Sequence, residues 1–120
     1  MRKRLLIVDD RVLDRDLLVQ IFEDTYEIEL ASDGESAVEA VATTRPDLIL
    51  MDVGLPGLSG LEAVRAIRAS AANLPIIAVS SRVMPGDRER AIDAGCDDFV
   101  TKPIDDVLLV DMVARLLERR

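Results

Sequence analysis

Five polar residues stand where apolar runs stop. Asp9 and Asp10 follow Leu5-Leu6-Ile7-Val8, and Asp52 follows Leu48-Ile49-Leu50-Met51. Ser80 follows Ile76-Ile77-Ala78-Val79, and Lys102 follows Phe99-Val100-Thr101. Three carboxylates, a hydroxyl and an ammonium gathered at one place would hold a hard divalent cation and a phosphoryl group. Mg²⁺ takes oxygen ligands, keeps several waters and uses one or two carboxylates. Asp10 and Asp52 are therefore expected as direct ligands, with Asp9 acting through water. A backbone carbonyl beyond Asp52 would add a third protein ligand, and Gly54 would let the chain bend to present it. A carboxylate is also a phosphoryl acceptor. Asp52, alone at the end of its run, is the better nucleophile. Phosphoryl transfer needs charge neutralisation and alignment more than covalent help. The cation and Lys102 would neutralise, and Ser80 would donate a hydrogen bond to a phosphoryl oxygen. Pro103 stiffens the segment that carries Lys102, and the peptide bond between them is of the kind that can be cis.

These residues meet only if the runs before them lie side by side. Five apolar runs, Leu5 to Val8, Ile28 to Ala31, Leu48 to Met51, Ile76 to Val79 and Phe99 to Thr101, have the length and continuity of strands covered on both faces. The second, Glu27-Ile28-Glu29-Leu30, alternates as an edge strand with one wetter face would. Helical spacing follows each strand: Leu13, Leu17, Ile21 and Phe22; Ala37, Val38, Val41 and Ala42; Leu61, Val64 and Ile67; Leu108, Met112, Val113, Leu116 and Leu117. Ser59 to Glu62 reads as a capping box. Asp87 to Ala94 reads as a short polar helix that Gly95 stops. Asp33-Gly34, Arg45-Pro46, Pro56-Gly57, Leu74-Pro75 and Pro85-Gly86 punctuate the chain. Strand and helix alternating five times predict an α/β fold: a five-stranded parallel sheet of flavodoxin-like order 2-1-3-4-5, with helices on both faces. That order sets the first and third strands together at the switch point. Asp9, Asp10 and Asp52 then share one rim, with Ser80 and Lys102 approaching from one side.

The composition narrows the function further. With 120 residues, the chain is expected to be one domain over 1–120. A net charge of −8 argues against a nucleic-acid surface and against anionic membranes. The absence of histidine excludes a His-dependent triad, a His-ligated zinc site and an internal phosphohistidine. Cys96 is the one cysteine, so no intramolecular disulfide forms, and it reads as a small buried residue in a protein of a reducing compartment. No apolar run approaches the ~20 residues of a membrane span, and the basic start Met1-Arg2-Lys3-Arg4 precedes too short a run for a signal peptide. A cytoplasmic protein is expected.

The stretches Leu5 to Asp10, Ala31 to Ala37, Pro46 to Asp52, Leu55-Pro56 with Gly60, and Asp98 to Pro103, taken together and in this order, resemble a response-regulator receiver domain of two-component signalling, of the chemotaxis-regulator type. The resemblance covers essentially the whole chain. It implies that Asp52 is the phosphoacceptor, that Asp9 and Asp10 are the acidic pair binding Mg²⁺, and that Lys102 is the active-site lysine. Ser80 matches the switch hydroxyl and Phe99 the switch aromatic, three residues before the lysine. Phosphorylation would draw Ser80 toward the phosphate, and Phe99 would rotate into the vacated space. The face made by the fourth helix, fifth strand and fifth helix would then change its preference for a downstream protein target. The donor would be a phosphohistidine on a histidine kinase or histidine phosphotransfer protein docking around the first helix and the site loops. Gly54 and Arg82 lie at the two positions that tune phosphate loss in the family, and imply an aspartyl phosphate that is not short-lived. Ser81 replaces the frequent alanine, and Arg11 stands where many relatives carry asparagine or a small residue. Asp111 and Met112 lie where DNA-binding relatives often carry basic residues.

Two other classes compete with this switch, which would phosphorylate itself from a donor and slowly lose the phosphate without being a conventional enzyme. A Mg²⁺-dependent aspartyl phosphatase commonly needs a second acid two residues after its nucleophile, where Gly54 stands here. A phosphorylation-independent module of the same fold would not need all five polar positions. Flavin or nucleotide binding lacks a glycine-rich loop after the first strand.

Overall fold

Leucine, isoleucine, valine and methionine at successive positions leave a strand no wet face, so it is stable only between two layers. Five strands form, β1 (Arg4–Val8), β2 (Glu27–Ala31), β3 (Leu48–Asp52), β4 (Ile76–Ser80) and β5 (Asp98–Thr101), and β1, β3 and β4 are of this kind. They alternate with α1 (Val12–Phe22), α2 (Gly34–Thr44), α3 (Gly60–Ser70), α4 (Asp87–Ala94) and α5 (Asp106–Glu118). All pairings are parallel and the order is β2-β1-β3-β4-β5, as the alternation of elements predicts. The computed structural model describes residues 2–54, 60–81 and 84–118. The expected capping residue Ser59, the Leu55-Pro56-Gly57 stretch and Arg82 lie outside the described residues. No helix among the described residues is long and apolar enough to cross a membrane.

Each run divides its side chains between two cores, because successive residues of a strand point to opposite faces. Leu6, Val8, Ile49, Met51, Ile76 and Ala78 pack under α2, α3 and α4. Leu5, Ile7, Leu48, Leu50, Ile77 and Val79 pack under α1 and α5. Burying each such aliphatic side chain is worth about 1.5–3 kcal/mol. The three central strands therefore make a rigid frame, and their C-terminal ends inherit that rigidity.

The local signals mostly hold, and the differences have physical causes. Asp33 caps α2 by accepting from the Ser36 N–H at 2.8 Å, so Asp33-Gly34 is a helix start. Gly95 closes α4 at φ +122, where a side chain would be strained. β2 lies at the edge, but Leu30 is exposed and Ala31 is buried, so its wet positions do not alternate. In α1 the buried row is Leu18 and Phe22; Leu13, at 82% exposure, and Leu17 face outward. Ala42 of α2 and Leu108 of α5 also face outward, the latter with Leu109 buried in its place. In each case the helix carries apolar residues on neighbouring rows, and the sheet selects only one.

Candidate functional site

The rim residues are held by backbone bonds that run just past the strands. Asp9 N–H donates to the Ala31 carbonyl at 3.1 Å, Val53 N–H to Val79 at 3.1 Å, and Lys102 N–H to Ser80 at 2.7 Å. The side chains at these positions thus start from fixed points. Asp9, Asp10 and Asp52 each bring a carboxylate oxygen within 4.8 Å of the others. Asp9 and Asp52 are buried while Asp10 is exposed.

Both oxygens of Asp9 are engaged. Oδ1 accepts from the Arg11 N–H at 3.0 Å, where α1 begins, and Oδ2 accepts from Lys102 Nζ at 3.0 Å. Asp52 Oδ1 accepts from the Gly54 N–H at 2.8 Å, and its Oδ2 lies 3.7 Å from Lys102 Nζ. Burial raises the Asp52 pKa, helped by the charges of Asp9 and Asp10, and outweighs the lowering by the Gly54 N–H and Lys102. Burial alone would depress Lys102, but hydrogen bonds to Asp14 and Asp9 and the charge of Asp52 leave it raised. The ammonium is therefore a permanent cation.

Asp14 is the site residue that apolar spacing missed. Its Oδ2 accepts from Lys102 Nζ at 2.9 Å, and that hydrogen bond lowers its pKa. It stands four residues before Leu18 and eight before Phe22, on the buried row of α1. A carboxylate on that row was the available signal.

Gly54 carries no left-handed backbone, since the positive-φ glycines among the described residues are Gly86 and Gly95. It does lie in the turn that follows β3. A Cβ at Gly54 would meet Asp52 Oδ1 at an ordinary 3.5 Å. The glycine that the site needs is Gly60, where a Cβ would stand 2.4 Å from Val53 Cα and 2.5 Å from the Asp52 carbonyl oxygen. The first turn of α3 packs directly against the backbone that carries Asp52.

Ser80 ends β4 and is buried, and Thr101 is its register partner on β5. Lys102-Pro103 is cis. Phe99 is buried in the α2–α4 core and borders two cavities. One, of about 220 Å³, adjoins Ser80, Gly54 and Met84; the other, of about 410 Å³, opens between Arg88, Leu108 and Met112. Cys96 is buried, and burial pushes its thiol up to about 12, as an inert core residue requires.

Three carboxylates, Asp9, Asp14 and Asp52, thus lie around one ammonium, and Asp10 joins Asp9 and Asp52 on the rim. Hard oxygen donors with excess negative charge fit a hard divalent cation such as Mg²⁺.

The comparisons with known proteins agree with this geometry. The chain is 35% identical over 119 residues to the response regulator PleD of Caulobacter vibrioides, covering 97% of this chain and 26% of that protein. It spans about a quarter to a half of the length of the curated relatives it matches. A CheY-like receiver domain protein from Methanospirillum hungatei superposes with a TM-score of 0.93 at 26% identity, over 99% of this chain and 96% of that one. The receiver domain of the sensor histidine kinase PA1611 from Pseudomonas aeruginosa, which has a magnesium ion coordinated in its active-site cleft, gives 0.90 at 32% identity over 98% and 99%. The model of the response regulator receiver domain matches residues 5–114, and the chain belongs to that family.

Proposed function

We propose that residues 1–120 form a single receiver domain that takes a phosphoryl group onto Asp52 from a phosphohistidine of a partner histidine kinase or histidine phosphotransfer protein. The observation that carries this reading is the meeting of the Asp9, Asp10 and Asp52 carboxylates within 4.8 Å, with the Lys102 ammonium beside them. Asp9, Asp10, Asp52 and the Gly54 backbone carbonyl would hold Mg²⁺, as the cleft of the PA1611 receiver domain holds magnesium. The bound cation supplies neutralisation of phosphoryl charge.

A carboxylate oxygen of Asp52 attacks phosphorus while the P–N bond to the donor imidazole breaks, and the electron pair of that bond returns to the ring. Lys102 faces the charge on the transferring oxygens. Ser80 donates its hydroxyl to one of them. As Ser80 turns inward, Phe99 moves into the cavity beside it and the cavity between Arg88 and Met112 changes shape. Arg88 of α4 reaches Asp98 at 3.3 Å and the Phe99 carbonyl at 3.4 Å, so a shift of Phe99 is felt on α4. The α4–β5–α5 face would carry the signal to a downstream protein target, with no direct nucleic acid or membrane contact.

The chain is a switch that is modified once and released, not a turnover enzyme. Its cytoplasmic location suits one free buried cysteine. Gly54 brings no side chain that could position a water against the phosphate, so the modification persists; a half-life of seconds after donor removal would count against this. The primary test is incubation with Mg²⁺ and acetyl phosphate, read by intact mass. One phosphoryl adduct is expected, absent in Asp52→Ala and absent without Mg²⁺. No adduct, where a known receiver is labelled, would instead favour a phosphorylation-independent module.

A further inference from the structure

We propose that Asp14 is a positioning residue whose carboxylate holds the Lys102 ammonium off Asp52 and so keeps Asp52 available as an acceptor. This rests on the reading of Asp52 as the phosphoacceptor. Three carboxylates compete for one ammonium: Asp14 Oδ2 at 2.9 Å, Asp9 Oδ2 at 3.0 Å and Asp52 Oδ2 at 3.7 Å. The first two distances are hydrogen bonds and the third is not. Asp9 is fixed by the Arg11 N–H and by the strand beneath it. Asp14 pulls from α1, whose position Leu18 and Phe22 fix in the core. Arg11 Nε is 3.5 Å from the same Asp14 oxygen, but its side chain is largely exposed and cannot replace a buried ammonium.

An ammonium has three protons to place. Lys102 is only 11% exposed, so a proton left without an acceptor finds little water. If Asp14 is removed, Asp9 keeps its bond at 3.0 Å and the next carboxylate in reach of the freed proton is Asp52, less than an ångström beyond hydrogen-bond range. The ammonium then settles onto the acceptor oxygen. That ion pair must break before the oxygen can attack phosphorus, so transfer slows.

The chain has two lysines, Lys3 and Lys102. A Lys3→Arg background therefore leaves one lysine signal when lysine Cε is labelled with ¹³C. In that background Asp14→Ala is expected to move the Lys102 resonance, and Asp52→Asn is expected to abolish that movement. Labelling by acetyl phosphate should slow about three- to ten-fold, the scale of coupling between contacting residues. Asp14→Asn keeps an oxygen acceptor and should restore both the resonance and the rate. An unmoved Lys102 resonance in Asp14→Ala, or labelling at the wild-type rate, would overturn the proposal. So would equal slowing in the Ala and Asn variants, which would mark a packing role for Asp14 in α1. If the unsubstituted chain takes no phosphoryl group, the phosphoacceptor reading fails, and the tether stands or falls on the resonance alone.

Discussion

Lys102 Nζ and Asp9 Oδ2 lie 3.0 Å apart across 93 residues of sequence. The pair is nearly enclosed, and among the described residues Asp9 pairs with no other cation. Removing one partner of a buried pair costs about 3–5 kcal/mol, and roughly 2–3 kcal/mol is expected here because the rim opens to solvent on one side. Lys102→Met should lose that much stability in EDTA. Millimolar Mg²⁺ should restore more stability to the variant than it adds to the wild type, since a ligand that binds only the folded state stabilises it. Urea unfolding with and without the cation measures both effects, and equal stability in EDTA would count against the pairing.

Asp52 carries the opposite liability. An acid whose pKa is raised in the folded state binds its proton more tightly there. Its contribution to stability is present below the ordinary carboxylate range and is lost as pH rises through the raised value. Asparagine does not titrate and keeps an oxygen for the Gly54 N–H. In metal-free buffer Asp52→Asn should therefore be more stable than the wild type at neutral pH, by about 1 kcal/mol or roughly 5 °C in Tm for a domain of this size. The difference should close as the pH falls. Thermal melts across the acid range would show it, and a gap that widens in acid would reverse the sign.

Gly60 has no room for a methyl group. The nearest atoms are backbone rather than the flexible end of a side chain, so relief requires α3 or the Asp52–Val53 backbone to move. Gly60→Ala should cost at least about 2 kcal/mol, within the usual range for overpacking. Amide shifts at Asp52 and Val53 should move with it. A variant of wild-type stability would show that the close approach is not kept in solution.

Leu108 and Leu109 make a paired test of which row of α5 faces the sheet. Leu109→Ala should cost about 2–5 kcal/mol as a buried deletion. Leu108→Ala, on a side chain 48% exposed, should change stability by less than about 0.5 kcal/mol. Comparable losses at both would mean that α5 sits differently.

That pair also shows where sequence reasoning stops. Strand runs and their order were legible because a fully buried strand tolerates no polar interruption. The rim residues were legible because each is the first polar group after such a run. Helix faces were less so: α1 carries Val12, Leu13, Leu17, Leu18, Val19, Ile21 and Phe22, enough apolar residues for more than one stripe. The row Leu13, Leu17, Ile21 and Phe22 gives Asp14 no role. What places Asp14 inward is an ammonium 88 residues away, which periodicity within one helix does not register. Gly60 was legible only through the resemblance, and its physical reason was hidden because its neighbours are backbone atoms of another segment.

Cys96 sits where α4 hands over to β5, its N–H bonded to the Ala91 carbonyl at 3.0 Å and its sulfur in the same core as Phe99. With its thiol pushed up to about 12 and buried, it is expected to react only when the α4–β5 junction opens. The chain thus contains its own single-site clock for those excursions. The rate at which a thiol reagent enters counts how often the α4–β5 face breathes, in the unsubstituted protein and without an added probe.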